Sequence, residues 1–124
     1  MKMYSSLVLA YIGDSVYETY IRAFLIEKGF VKVKDLQKEA IKYVSAKGQY
    51  AIIRYLMNNK YLTDEEIDIV KKARNQRSHK HPKNTDVITY KYSTGFEALI
   101  GYLYLENNTR RLEEIINIIK EEVC

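Results

Sequence analysis

Hydrophobic positions in this chain recur mostly every three to four residues, and the strict alternation typical of strands is scarce. This periodicity predicts an all-α fold. The predicted helices cover residues 5–27, 35–43, 45–58, 64–74 and 86–106, and a last helix begins after a cap at Asn108 or Thr109. Gly29 is expected to end the first helix, Ser45 to cap the third, and Thr63 and Glu66 to form a capping box before the fourth. Residues 93–95 are a candidate break in the fifth.

The first predicted helix is apolar on two neighbouring faces. One stripe places Asp14 at a core-facing position, with the Tyr11 and Tyr17 hydroxyls one turn on either side. Its members are Leu7, Ala10, Tyr11, Asp14, Tyr17, Ile21 and Leu25. The second stripe consists of Leu9, Ile12, Val16, Tyr20 and Phe24. A helix of this kind is buried centrally or covered by a second subunit, and Gly13 within it would permit a kink or the close approach of another backbone.

The composition fits one globular domain over residues 1–124. Of the 124 residues, 47% are hydrophobic, which is enough for a core without disulfide bonds. The single cysteine, Cys124, rules out an intramolecular disulfide and suits the reducing cytoplasm. The N-terminus lacks a secretory pattern, and no apolar run reaches the length of a membrane span. The net charge of +4 mildly favours a polyanionic partner.

Two nearly uncharged stretches each carry one carboxylate. Asp14 is the only charged residue between positions 3 and 17, and Glu97 is the only one between positions 92 and 105. An ionised acid in apolar sequence must be paired, protonated or bound to a metal. Taken singly, each could simply accept hydrogen bonds from tyrosine hydroxyls. Together they suit Mg²⁺, which uses one or two carboxylates and keeps waters and substrate phosphate oxygens as its other ligands. Glu18, one turn after Asp14, could reinforce the site or lie solvated at its rim.

A basic segment covers residues 71–83, with six positive charges and no acid. Its candidate phosphate-binding residues are Lys71, Lys72, Arg74, Asn75, Arg77, His79, Lys80 and Lys83. A solvated loop is the ordinary interpretation of such a run. Because the charge is segregated from the acids, the segment also suits binding to RNA phosphates without sequence readout. His79 and His81 lack further ligands nearby and do not suit a zinc site.

Two motifs resemble the ribonuclease III catalytic domain. The segment from Leu9 to Glu18, with its Gly13-Asp14 pair, resembles the signature helix of that family. The segment from Thr94 to Gly101, in which Glu97 precedes Ala-Leu-Ile-Gly, resembles its second acidic motif. The length and the basic segment are most similar to the small bacterial branch that consists of the catalytic domain alone.

The resemblance implies that Asp14 and Glu97 are the catalytic, Mg²⁺-binding residues. Leu7, Ala10 and Thr94 occupy positions where the larger enzymes carry further acids, so the site is reduced. It also implies an all-α homodimer, for which the doubly apolar first helix is the expected dimer surface, with tyrosines such as Tyr4, Tyr11 or Tyr17 in the contact. The expected substrate is double-stranded RNA, cleaved to 5′-phosphate and 3′-hydroxyl ends, and specifically the 23S ribosomal RNA precursor. No separate double-stranded-RNA-binding domain is expected in a chain of this length.

Two other functions remain open on the residues alone. A ribonuclease-III-like domain could bind structured RNA without cleaving it, because the acidic cluster is reduced. A helical interaction protein without an RNA role could use both acids as hydrogen-bond acceptors in its core. Replacement of Asp14 by Asn separates these functions, since only the enzyme loses cleavage while keeping RNA binding.

Overall fold

The computed structural model describes residues 3–76 and 86–123, and these residues form helices with no strand among them. The helices are α1 (Ser6–Glu27), α2 (Val33–Val44), α3 (Ala46–Asn58), α4 (Asp64–Arg74), α5 (Val87–Leu105) and α6 (Thr109–Ile118), followed by a π-helical turn at Ile119–Val123. The all-α prediction is confirmed. Within the described residues, none of the helices combines the length and apolarity needed to cross a membrane.

Local capping chemistry determines where the helices begin. The Ser5 hydroxyl accepts a hydrogen bond from the Val8 amide at 3.2 Å, and the Ser45 hydroxyl accepts one from the Gly48 amide at 3.0 Å. Thr63 and Glu66 form the reciprocal bonds of the predicted capping box. Gly29, at a φ of 106°, lies just past the end of α1, in a conformation that favours glycine.

Helix α5 lies at the centre of the fold and packs against α1, α3, α4 and α6. Its buried side chains, including Phe96, Leu99 and Ile100, join those of α1, α3 and α6 in one core. Helix α6 buries Leu112, Ile115 and Ile116, and the π-helical turn after it buries Ile119, as the pattern predicts. The core therefore holds α5 in fixed register against three other helices, and α5 carries Glu97.

The candidate break at residues 93–95 is wrong, because α5 is continuous. The Ser93 and Thr94 hydroxyls donate to the Tyr90 carbonyl oxygen at 2.7 and 3.0 Å, so these polar groups are satisfied inside the helix. Gly95 lies where a Cβ would come 2.8 Å from the Val70 carbonyl oxygen, so the glycine lets α4 approach α5. Residues 93–95 therefore do not break the helix, and Gly95 forms part of the surface of α5 that packs against α4.

The predicted inner stripe of α1 is rotated from the observed one. The buried residues of α1 are Ser6, Leu9, Ala10, Gly13, Tyr17, Ile21 and Leu25. Leu7 and Tyr11 are exposed, and Asp14 is exposed as well, so the prediction that Asp14 faces the core is wrong. The reason is that Gly13, rather than Asp14, is the point at which α1 meets α5.

Candidate active site

Glycines allow α1 and α5 to cross at the distance of backbone contact. A Cβ built on Gly13 would lie 1.8 Å from the Glu97 carbonyl oxygen, and one on Gly101 would lie 1.9 Å from the Leu9 carbonyl oxygen. Only glycine fits at either position. The close approach predicted for Gly13 is therefore confirmed. It brings the residue after Gly13, which is Asp14, beside Glu97.

Asp14 and Glu97 line one open cleft of about 490 Å³ between α1 and α5. Their side chains lie within hydrogen-bonding reach of each other. The same cleft is lined by Leu7, Ala10 and Thr94, the positions where the resemblance places the acids that are missing here. The fold therefore brings together the two acids and the three non-acidic positions, although Leu7 and Thr94 are 87 positions apart in the chain.

Glu97 is half-buried, and no cationic side chain of the described residues pairs with it. Burial, together with the charge and hydrogen bond of Asp14, raises the pKa of the Glu97 carboxyl to about 8, while an amide hydrogen bond from Gln49 opposes the shift. Neither acid takes part in an ion pair within the described residues. The raised pKa shows that a negative charge on Glu97 is disfavoured beside Asp14. A divalent ion would supply the positive charge that this arrangement lacks.

The donor set fits a magnesium ion better than a softer metal. Two carboxylates are available, and no group of three or more His, Cys, Asp or Glu side chains that could hold a metal occurs in the part of the chain that is described. Mg²⁺ tolerates so few protein ligands because it retains waters and accepts phosphate oxygens. An open cleft leaves room for both.

Gln49 is a site residue that the sequence analysis missed. Its side chain is only 1% exposed. Its amide nitrogen donates to Glu97 Oε2 at 3.4 Å and to the Val44 carbonyl oxygen at 3.2 Å. The bond fixes the Glu97 carboxylate from the side opposite the solvent. One signal was available, since Gln49 stands on the same helical face as the apolar residues Ile52, Ile53 and Leu56.

The remaining acid near the site, Glu18, forms an ion pair with Arg22 at 3.4 Å on the surface of α1. Its charge reaches Glu97 and adds to the upward shift of the Glu97 pKa, but it is the smallest contribution. Glu18 thus lies at the rim of the site. Tyr17, which the sequence placed beside Asp14 or in a dimer contact, is fully buried and donates to the Tyr43 carbonyl oxygen at 3.0 Å, so both expectations for it are wrong.

Half of the candidate RNA-binding residues lie in the described part of the chain. Lys71 and Lys72 are exposed on the last turn of α4, Arg74 ends that helix, and Asn75 caps it. Arg74 and Asn75 line a surface pocket with residues of the first turns of α5. Arg77, His79, Lys80 and Lys83 lie outside the described residues, as does His81.

Comparisons with known proteins agree with this geometry. The profile of the family described as Ribonuclease III domain matches residues 7–108. The chain is 46% identical to the Mini-ribonuclease 3 of Staphylococcus aureus, over 96% of this chain and 89% of that protein. It is 47% identical to the Mini-ribonuclease 3 of Symbiobacterium thermophilum, over 89% and 83% of the two chains. A crystal structure of a Fusobacterium nucleatum protein superposes with a TM-score of 0.85 at 32% identity, covering 99% of this chain and 97% of that one.

Proposed function

The chain belongs to the ribonuclease III family and is an endoribonuclease for double-stranded RNA; we propose that it uses Mg²⁺ held by Asp14 and Glu97, and that it matures the 23S ribosomal RNA precursor. The observation that carries the metal proposal is the pair itself. Two carboxylates share one cleft and no basic side chain in the described part of the chain pairs with either of them.

The chemistry follows from what the cleft contains. Bound Mg²⁺ would activate water for attack on phosphorus and stabilise the charge that develops on the leaving oxygen. Asp14 and Glu97 would hold the ion, and Gln49, which donates to Glu97, would keep that carboxylate oriented. Hydrolysis that breaks the bond between phosphorus and the 3′-oxygen leaves the 5′-phosphate and 3′-hydroxyl ends expected of the family.

Duplex RNA would be held through its backbone. Lys71, Lys72, Arg74 and Asn75 are placed where α4 ends beside α5, and we propose that they and the basic residues after them contact phosphates. An A-form duplex is recognised mainly by shape and by phosphate and 2′-hydroxyl contacts, which suits a charged surface with no base-reading element. We propose the 23S precursor as the substrate because the chain resembles the small catalytic-domain branch, for which that substrate is expected.

A homodimer through α1 is the second part of the proposal. The start of the chain carries five exposed apolar side chains, of which Leu7 and Tyr11 also line the active cleft: Met3, Tyr4, Leu7, Val8 and Tyr11. Met3 and Tyr11 are 86% and 83% exposed, which is costly for side chains of this size unless a partner covers them. A second copy that covers this patch would bring two active sites onto one duplex. A monomer at micromolar concentration in light scattering would contradict this part.

The direct test is incubation of a long RNA duplex with the parent protein and with Asp14→Asn, each with and without Mg²⁺. We expect cleavage only by the parent and only with a divalent ion, while Asp14→Asn still binds the duplex. A transcript that contains the double-stranded stem of the 23S precursor tests the substrate, and the products should carry 5′-phosphate ends. Cleavage by the parent in the presence of a chelator would overturn the metal proposal.

A further inference from the structure

Two arginines from different helices converge on one tyrosine. Arg54 of α3 and Arg74 of α4 each donate through Nη1 to the Tyr92 hydroxyl oxygen of α5, at 3.2 and 3.1 Å. Their guanidinium carbons lie 5.3 and 5.2 Å from the centre of the Tyr92 ring. Tyr50 packs edge-on against the same ring, with centroids 5.4 Å apart. The hydroxyl therefore fixes the positions of two like charges.

No carboxylate of the described residues forms an ion pair with either arginine. None of the ion pairs in the described residues includes Arg54 or Arg74, and residues 77–85, which directly follow in the chain, contain no Asp or Glu. Burial alone would raise the pKa of the Tyr92 phenol, but the hydrogen bonds and charges of Arg74 and Arg54 outweigh it and hold the pKa below its ordinary value. The local potential is therefore positive, and the Tyr92 hydroxyl oxygen is the acceptor that both arginines share.

The surroundings suit an anion with several oxygens. Arg74 also donates through Nε to Asn75 Oδ1 at 3.0 Å, yet a guanidinium carries five N–H donors, so both arginines retain donors for a further acceptor. Lys91 and Asn75 line a shallow pocket of about 360 Å³ with Arg74 and Tyr92. Paired guanidinium groups recognise phosphate better than isolated ammonium groups, because their planar donors match its oxygens.

We propose that Arg54, Arg74 and Lys91 bind a backbone phosphate of the RNA, so that the RNA interface extends beyond the basic segment onto α3. The proposal rests on the proposed function, because it takes duplex RNA as the ligand. Tyr92 and Glu97 both belong to α5, where they are five residues, or about 7.5 Å along the helix axis, apart. Tyr92 acts as a positioning residue that holds both arginines.

The test measures duplex RNA binding in an Asp14→Asn background, where cleavage does not interfere. Arg54→Gln should weaken binding about tenfold at moderate salt and reduce the slope of log affinity against log salt by roughly 0.9, as expected for one lost phosphate contact. Arg110→Gln is the matched control: it removes the same charge from an exposed position on α6 and should stay within about twofold of the background protein. Arg54→Lys should fall between them, because it keeps the charge but loses the fork of donors.

Two further measurements separate the possible failures. Thermal melting shows whether Arg54→Gln is folded, and a purely structural role of Arg54 would lower stability while leaving the salt slope unchanged, which would overturn the proposal. Titration of ¹⁵N-labelled protein with inorganic phosphate should shift the Nε–H resonances of Arg54 and Arg74 but not that of Arg110. Should Asp14→Asn itself fail to bind duplex RNA, the proposed function fails, and the phosphate titration alone decides whether the anion site exists.

Discussion

Glu66 and Glu97 are both withdrawn from solvent, but they are in opposite electrostatic situations. Glu66 is 5% exposed and receives hydrogen bonds from Arg111 Nε and Nη2, both at 2.8 Å, and from the Thr63 amide at 2.9 Å. Burial alone would raise the pKa of Glu66, but these bonds hold it below its ordinary value. Glu97 faces another acid and one neutral amide, and its pKa rises to about 8.

This difference in electrostatic environment distinguishes Glu66, which is neutralised inside the fold, from Glu97, which is not. The Glu66 charge is neutralised within the fold, so it joins α4 to α6 and has no capacity left for a ligand. Among the described residues, nothing positively charged compensates the Glu97 charge. A half-buried acid whose charge is uncompensated beside a cleft is a candidate functional residue, which supports the proposed metal role of Glu97.

The two glutamates are also held in place by different means. An ion pair fixes Glu66, whereas backbone packing at Gly13 and Gly101 fixes the helix that carries Glu97. Packing of this kind positions a carboxylate without neutralising it. This contrast leads to predictions that separate packing from charge.

The largest expected effect comes from Gly13→Ala. Its Cβ would collide with the Glu97 carbonyl oxygen, which is backbone and cannot move alone, so α1 and α5 must separate. We expect the free energy of unfolding to fall by about 3 kcal/mol or more, together with loss of cleavage. Thr19→Ala, on the exposed side of α1, is the control and should change stability by less than about 0.5 kcal/mol. Near-parental melting of Gly13→Ala would contradict the packing described for this crossing.

Glu66→Gln should have the next largest effect. It should lower the free energy of unfolding and leave cleavage by the folded protein nearly unchanged. It leaves the Arg111 guanidinium partly buried without its carboxylate, and removing one partner of a buried pair costs about 3 kcal/mol. Urea unfolding measures the change. Glu114→Gln is the matched control, because Glu114 is exposed and lies 3.4 Å from the same guanidinium. Similar losses from both substitutions would mean that Glu66 contributes no more than a surface charge.

A smaller effect concerns the pH dependence of stability. Because the folded-state pKa of Glu97 is raised, the folded protein binds more protons than the unfolded chain between about pH 4.5 and 8, and stability falls as pH rises through that range. Glu66, with its lowered pKa, loses its contribution only as pH falls below that range. In a chelating buffer, Glu97→Gln should therefore gain stability relative to the parent from pH 5 to 8, on the order of 2 kcal/mol. If the stabilities of Glu97→Gln and the parent change equally with pH across this range, the pKa of Glu97 is not raised in the folded protein.

Much of the fold could be predicted from the sequence because its determinants are local. Ser45, Thr63 and Gly29 act on neighbouring backbone groups, and the helix ends they predict are confirmed. The orientation of α1 could not be predicted, because a helix apolar on two faces leaves its rotation to its packing partner. Only the contact of Gly13 with α5 settles that Asp14 lies at the edge of the core.

The hydrogen-bond partners of the site residues also could not be predicted from the sequence. Gln49 and Glu97 are 48 residues apart, and Glu66 and Arg111 are 45 apart, so no spacing rule connects them. The same holds for Arg54 and Tyr92, which belong to different helices. The sequence did indicate that few charged residues surround Asp14 and Glu97. It therefore singled out both acids as lacking a basic neighbour in the chain.

The most direct test of the difference between the two glutamates is the single-turnover rate of duplex RNA cleavage in Mg²⁺, measured with melting temperature for Glu97→Gln and Glu66→Gln. We expect Glu97→Gln to lose at least about a thousandfold in rate, roughly 4 kcal/mol of transition-state stabilisation, while melting no lower than the parent. Glu66→Gln should melt lower and, where folded, cleave within a few-fold of the parent. A Glu97→Gln protein that cleaves within tenfold of the parent would contradict the account.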